Sequence, residues 1–264
     1  MGKFMMPRKW LFASLALVAG CLAVAVLFDD RTNQFSTARD PAGIARVPVV
    51  NCTNYEQGAL SEDARQTSLP REQDAPVPAA SRLAYYTTGY IGVLAPRGWS
   101  CVTFLNAGGF ELWVMPEPYK ATMQQPLGTG PFVRIFAAEG DSNFSQHLAI
   151  ATVAARFFPK HIAYVKGVIA ENMQNGGDGS FTIPIGPLPA DRITRRSATV
   201  VEFVTQPNQD GTGTEFGITK NASRVFGAAF LPSDESSVEV VAVRVPDDLN
   251  ALVPTIVASA NPRP

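Results

Sequence analysis

From Trp10 to Phe28 the chain runs 19 residues without a charge, with Lys3, Arg8 and Lys9 before it and Asp29 and Asp30 after it. A helix of that length spans the hydrocarbon core of a bilayer. Basic residues ahead of the span and acids behind it set the N-terminus inside, so everything beyond about Asp29 is expected outside the cytoplasm. The segment thus determines where the rest must fold, in an oxidising space in which disulfides persist. Three fates compete for it. It can stay as an anchor. Val18-Ala19-Gly20-Cys21 has the pattern of a bacterial lipobox, whose Cys21 would be lipidated after cleavage. Ala23-Val24-Ala25 offers a small-residue cleavage site that would release a secreted protein. A lipoprotein cysteine normally ends the hydrophobic region, whereas here Leu22 to Phe28 continue it. The reading favoured is an uncleaved anchor, with Cys21 a small apolar residue inside it.

Composition narrows the chemistry. With 46% hydrophobic and 17% charged residues in 264, the chain can bury a full core. The 22 basic and 23 acidic side chains leave no positive excess, which argues against nucleic-acid binding by phosphate neutralisation. Residues 1–28 hold three of the bases and none of the acids, so the exported part carries a net charge of −4. Two His and three Cys are too few for zinc clusters, iron–sulfur cages or c-type haem, and neither metal nor cofactor is expected.

Residues 29–47 are polar, interrupted by Pro41, and read as a tether between the membrane segment (1–28) and one extracytoplasmic domain (48–264). Residues 65–81 are proline-rich and aperiodic, an extended loop over the surface. Strand-like sequence runs over 83–94, with Gly89 and Gly92 as bulge positions. Pro96 and Gly98 fit a type I turn over Ala95–Gly98, and 101–105 and 110–114 form a hairpin around the four-residue loop Asn106–Gly109. A short strand follows at 132–137. The clearest helix covers 143–158, with Asp141 and Ser142 as candidate N-caps and Pro159 as its stop. After an apolar stretch at 162–169 and the Gly-rich loop 175–179, strands are expected at 198–205, 225–231 and 238–245. A final amphipathic helix starts at Pro246, with a kink or an end near Val253 forced by Pro254. The order implies an α+β fold, a mostly antiparallel sheet with one central amphipathic helix and a C-terminal helix.

Cys52 and Cys101 make an even pair in an exported domain and are expected to form a disulfide, with Trp99 on the same strand face covering it. His147 falls inside the apolar arc of its helix and reads as a buried, hydrogen-bonded core residue, while His161 lies just past the helix end and reads as exposed. Both remain candidates for acid–base work. Arg97, at a turn tip, is a candidate for meeting an anionic partner. Gly128-Thr-Gly130 and Gly211-Thr-Gly213 lack the residues that complete a phosphate loop and read as turns. Asn208-Gln-Asp210-Gly211 fails as a calcium loop, because Gly217 stands where the bidentate Glu should be.

The run Gly92-Val-Leu-Ala-Pro-Arg-Gly-Trp-Ser-Cys101 resembles blocks in uncharacterised bacterial secreted or envelope proteins, as do Ala154-Ala-Arg-Phe-Phe-Pro159, residues 200–205 and Gly211-Thr-Gly-Thr214. The resemblance implies an envelope location and brings no catalytic residues with it. Two functions stand. The first is a non-catalytic envelope protein, held to the membrane by its N-terminal segment, that binds a protein, glycan or small ligand. The second is an extracytoplasmic hydrolase with a Cys101 or Ser nucleophile and His147 or His161 as its base.

Overall fold

The computed structural model describes residues 44–56, 59–61, 72–76, 79–119, 128–140, 143–177, 179–215 and 217–260, all within the compact unit Thr37–Pro264. The N-terminal segment with Cys21, and the cap candidates Asp141 and Ser142, lie outside the described residues. Thirteen strands appear there in two sheets. The smaller sheet has the order β4(Glu72–Pro76), β1(Ile44–Asn51), β5(Leu83–Thr87), β6(Gly92–Pro96), with β1 and β5 parallel and the other pairs antiparallel. The larger has the order β10(Asp191–Arg195), β11(Val200–Thr205), β12(Val225–Phe230), β13(Ser237–Arg244), β9(Phe132–Glu139), β8(Gly109–Met115), β7(Ser100–Asn106), β2(Thr53–Glu56), β3(Ala59–Ser61). All its pairs are antiparallel except β2 with β7. The fold is α+β, with antiparallel sheet dominating.

On one face of the large sheet, Phe136, Ala138, Val238, Val240 and Phe203 pack under two helices, α1(Phe144–Phe157) and α2(Ile162–Gln174). Strand periodicity of two sends the alternate residues the other way. Leu112, Ile135 and Val241, which face one another across three strands, are also fully buried. The third helix, α3(Val253–Ser259), packs on β12, β13 and β6, and Ser259 Oγ accepts from the Leu94 amide at 2.9 Å. Beyond the reach of α1 and α2, buried Arg244 gathers the loops: its guanidinium donates to the Gly128 and Thr219 carbonyls, both at 2.8 Å, and lies over the Phe132 ring.

Several local expectations change once the chain is folded. β1 starts at Ile44, inside the stretch read as tether, and Val47 is fully buried. The segment 72–76, read as loop, pairs with β1 as strand β4. The single strand expected over 83–94 is a hairpin, β5 and β6. Gly89, expected at a bulge, takes φ +93 in its turn, and Thr87 Oγ1 spans that turn by accepting from the Gly89 amide and donating to the Ile91 carbonyl. The next turn sits one residue later than expected. Trp99 N–H reaches Pro96 O, which puts Gly98, at φ +87, in the third position, where a type II turn needs a positive φ. Asn106 pairs with Gly109, so the β7–β8 connection is the two residues Ala107 and Gly108.

A second helix, α2, joins the expected one. Pro159 does stop α1, but Pro159–His161 forms one 3-10 turn that redirects the chain into α2. At the C-terminus the helical stretch after Pro246 does break near Val253. Residues Asp247–Leu252 are a 3-10 turn, and Pro254 sits in the first turn of α3, where its missing N–H costs no hydrogen bond.

Candidate functional site

The two histidines of the chain both lie where the α1–α2 hairpin meets turns of the large sheet, each against a glutamate. His147 projects from the second turn of α1, which Asn143 caps by accepting from the Gln146 amide. Its side chain is 31% exposed rather than buried, because α2 packs beside α1 and leaves the imidazole at the seam. There Nδ1 lies 3.0 Å from Glu171 Oε2 on α2, and Nε2 lies 2.5 Å from the Gly140 carbonyl in the turn between β9 and α1. His161, expected exposed, keeps only 11% of its side chain in solvent. The 3-10 turn holds it at the start of α2, with Phe158 edge-on to its ring, and the turn between β12 and β13 brings Glu235 Oε1 to 2.5 Å from Nδ1. Its Nε2 has no hydrogen-bond partner among the described residues.

Tyr164 follows one turn along α2 from His161. Its hydroxyl is shut from solvent without a partner, and burial together with the charges of Glu171 and Glu235 raises its pKa. Glu235 adopts φ +54, uncommon for a residue with a side chain. Sequence reasoning found the histidines but missed Glu171, Tyr164 and Glu235, since partners 24 and 74 residues away leave no local pattern.

The other sequence candidates go elsewhere. Cys52 and Cys101 are bonded, with Cα atoms 5.1 Å apart, so Cys101 offers no thiol. Arg97 is exposed at its turn, and its guanidinium is tied to the backbone. It donates to the Leu83 and Ala80 carbonyls at 3.2 Å each, tying the turn after β6 to the start of β5. Gly211-Thr-Gly213 is a turn, as expected, clamped by Asp191, whose carboxylate accepts from the Thr212 amide and hydroxyl and from Thr205 Oγ1. Among the described residues no group of three or more His, Cys, Asp or Glu side chains is placed to hold a metal ion.

A third unforeseen acid stands apart from this cluster. Glu239 lies on β13 between Ala137 and Phe230, and Phe110 is the next residue along the same row of strands. Its Oε1 is buried without a partner, and burial pushes its carboxyl up to about 8. Near that row is an exposed apolar patch. Tyr90, 61% exposed, stacks on Phe110 at 5.9 Å, and Leu105 pairs with Phe110 across the hairpin.

The geometry therefore offers two imidazole–carboxylate pairs, a closed tyrosine hydroxyl, one buried acid and an aromatic patch. A scan against protein-family models finds no match for this chain, and a search of curated proteins finds no significantly similar sequence.

Proposed function

We propose that this chain is a non-catalytic bacterial envelope protein, exported and held to the membrane by residues 10–28, whose domain acts by binding a protein, glycan or small ligand. The observation that carries the reading is how the reactive side chains are engaged. Both exported thiols form one bridge, and the contacts described for the two imidazoles are with the Glu171 and Glu235 carboxylates and the Gly140 carbonyl rather than with a hydroxyl or thiol. A nucleophile–base pair requires that contact. The exposed Tyr90 and Leu105, with the half-buried Phe110 between them, supply apolar surface of the kind binding sites use. The bridge suits an oxidising compartment, in keeping with export.

The hydrolase reading keeps one specific support. Glu235 holds His161 Nδ1 and leaves Nε2 open, the orientation a general base takes. A panel of ester, amide and glycoside substrates separates the two. No turnover above background is expected from the full chain; turnover that disappears in His161→Ala would replace the binding reading with the enzymatic one. Location has its own test. Protease added outside spheroplasts is expected to degrade the domain while a fragment holding residues 1–28 stays in the membrane. A soluble mature protein beginning near Val26 would remove the anchor, and palmitate label on Cys21 would make the chain a lipoprotein.

A further inference from the structure

His147 faces a hydrogen-bond acceptor at each ring nitrogen, the Gly140 carbonyl at Nε2 and the Glu171 carboxylate at Nδ1. A carbonyl has no proton to give, so Nε2 must carry the hydrogen of that bond. In a neutral imidazole the other nitrogen is then bare, and its lone pair points at a carboxylate oxygen 3.0 Å away. Only the imidazolium donates to both. His161 differs, since its neutral ring can donate from Nδ1 to Glu235 and leave Nε2 open.

We infer that His147 is a proton-operated latch, joining the start of α1, the end of α2 and the turn after β9 while its ring holds two protons, and losing one of these contacts when the second proton leaves. The side chains of His147 and Glu171 are 31% and 35% exposed, so protons reach the pair directly from solvent. The latch sits on a joint. Gly140 N–H also donates to Ser236 O at 2.8 Å, in the β12–β13 turn whose Glu235 holds His161, and the Glu139 amide donates to Gln146 Oε1 on α1. The ionisable groups on these elements are Tyr164, Lys166 and Glu171 of α2, Arg156 of α1, which pairs with Glu215, Arg134 of β9, which pairs with Glu111, Glu139 of β9, Asp234 and Glu235 of the β12–β13 turn, and Lys160 and His161 of the 3-10 turn. The raised pKa of Tyr164 keeps its hydroxyl neutral throughout. Asp234 is fully exposed and is bonded by Ser236. The joint is therefore tight in mildly acid surroundings and loosens as the medium turns alkaline.

Glu171→Gln is the discriminating variant. Its amide can donate to a bare Nδ1, so the neutral ring satisfies both neighbours and the joint no longer needs the proton. The full chain in detergent micelles, labelled with 15N-histidine, gives signals from only two rings, assigned with His161→Gln. Both His147 nitrogens are expected to be protonated at pH 6. Hydrogen exchange at Glu139, Gly140 and the last turn of α2, corrected for intrinsic rates, is expected to rise about tenfold between pH 6 and pH 9 in the wild type and to stay level in Glu171→Gln. A bare Nδ1 on His147 at pH 6 would overturn the latch, a reading that needs only the wild-type chain. So would exchange that does not change with pH, or a Glu171→Gln variant that keeps the wild-type dependence.

Discussion

Glu239 shows how little a residue's place in the chain says about its charge. In Ser237–Arg244 it alternates with valines, a pattern that would put an acid on a solvent face, yet here its Oε1 is shut from solvent and the carboxyl is desolvated. Its pKa is raised to about 8 by loss of water, so the folded protein holds a proton that the unfolded chain gives up near its ordinary 4.5. Between those values the folded state binds more protons than the unfolded one, and stability falls as pH rises. The full shift corresponds to about 5 kcal/mol; partial hydration on ionisation reduces the expected loss to about 1–3 kcal/mol. Denaturant unfolding at pH 5.5 and pH 8.5 should therefore show a lower midpoint at the higher pH. In Glu239→Gln that contribution should vanish, and the variant should be the more stable protein at pH 8.5. Equal pH dependence in the two proteins would show that the carboxyl is hydrated. The histidines carry the same lesson. The wheel placed His147 on a face, but which nitrogen meets which acceptor depended on Glu171 and Gly140.

At the scale of elements, local chemistry was legible wherever the signal lay within a few residues. The helix at 143–158 was recognisable from its period and from Pro159, and its cap is Asn143, whose Oδ1 accepts from the Gln146 amide at 3.2 Å. Asn143→Ala removes that acceptor and is expected to lower stability by about 1 kcal/mol, read as a shift of the unfolding midpoint with no change in slope. A loss below about 0.3 kcal/mol would mean that solvent replaces the cap without cost. α2 was less legible, because its 13 residues begin without a side-chain cap and hold Gly167 near their middle. Its buried Val165 and Val168 settle against the core shared with α1, so packing rather than propensity makes the helix. Pro254 has either meaning on sequence alone, since a proline disrupts a helix interior but suits a first turn, and the preceding 3-10 turn decided between them.

Across the whole molecule, the bond between Cys52 and Cys101 lies where the chain passes from one sheet to the other. β1 ends at Asn51 in the small sheet, β2 begins at Thr53 in the large one, and the bridge fastens this crossing to β7, the strand that β2 joins. Its sequence separation of 49 gives, in the chain-entropy account, about 4 kcal/mol of stabilisation. That is a large share of the roughly 5–15 kcal/mol typical of a domain. Cys52→Ser/Cys101→Ser should lower unfolding stability by about that amount and should first expose residues 44–56 to proteolysis. In the denatured, unreduced wild-type chain, thiol titration should find no more than the one thiol of Cys21. Three thiols would remove the bridge and return Cys101 to the candidates for a nucleophile.

By itself the sequence determined the compositional limits, the α+β order of elements, the helix at 143–158 and the cysteine pairing, because each rests on residue counts, short-range period or parity within a compartment. The tertiary structure decided the rest. It formed β4 and β10, whose short polar segments become strands only against β1 and β11. It bonded Arg97 to backbone carbonyls, shut one carboxyl oxygen of Glu239 from solvent, and set Glu171 and Glu235 on the two histidines. These outcomes depend on partners far away in the chain, and no local period or spacing encodes which side chains meet when two sheets and a helical hairpin close on one another.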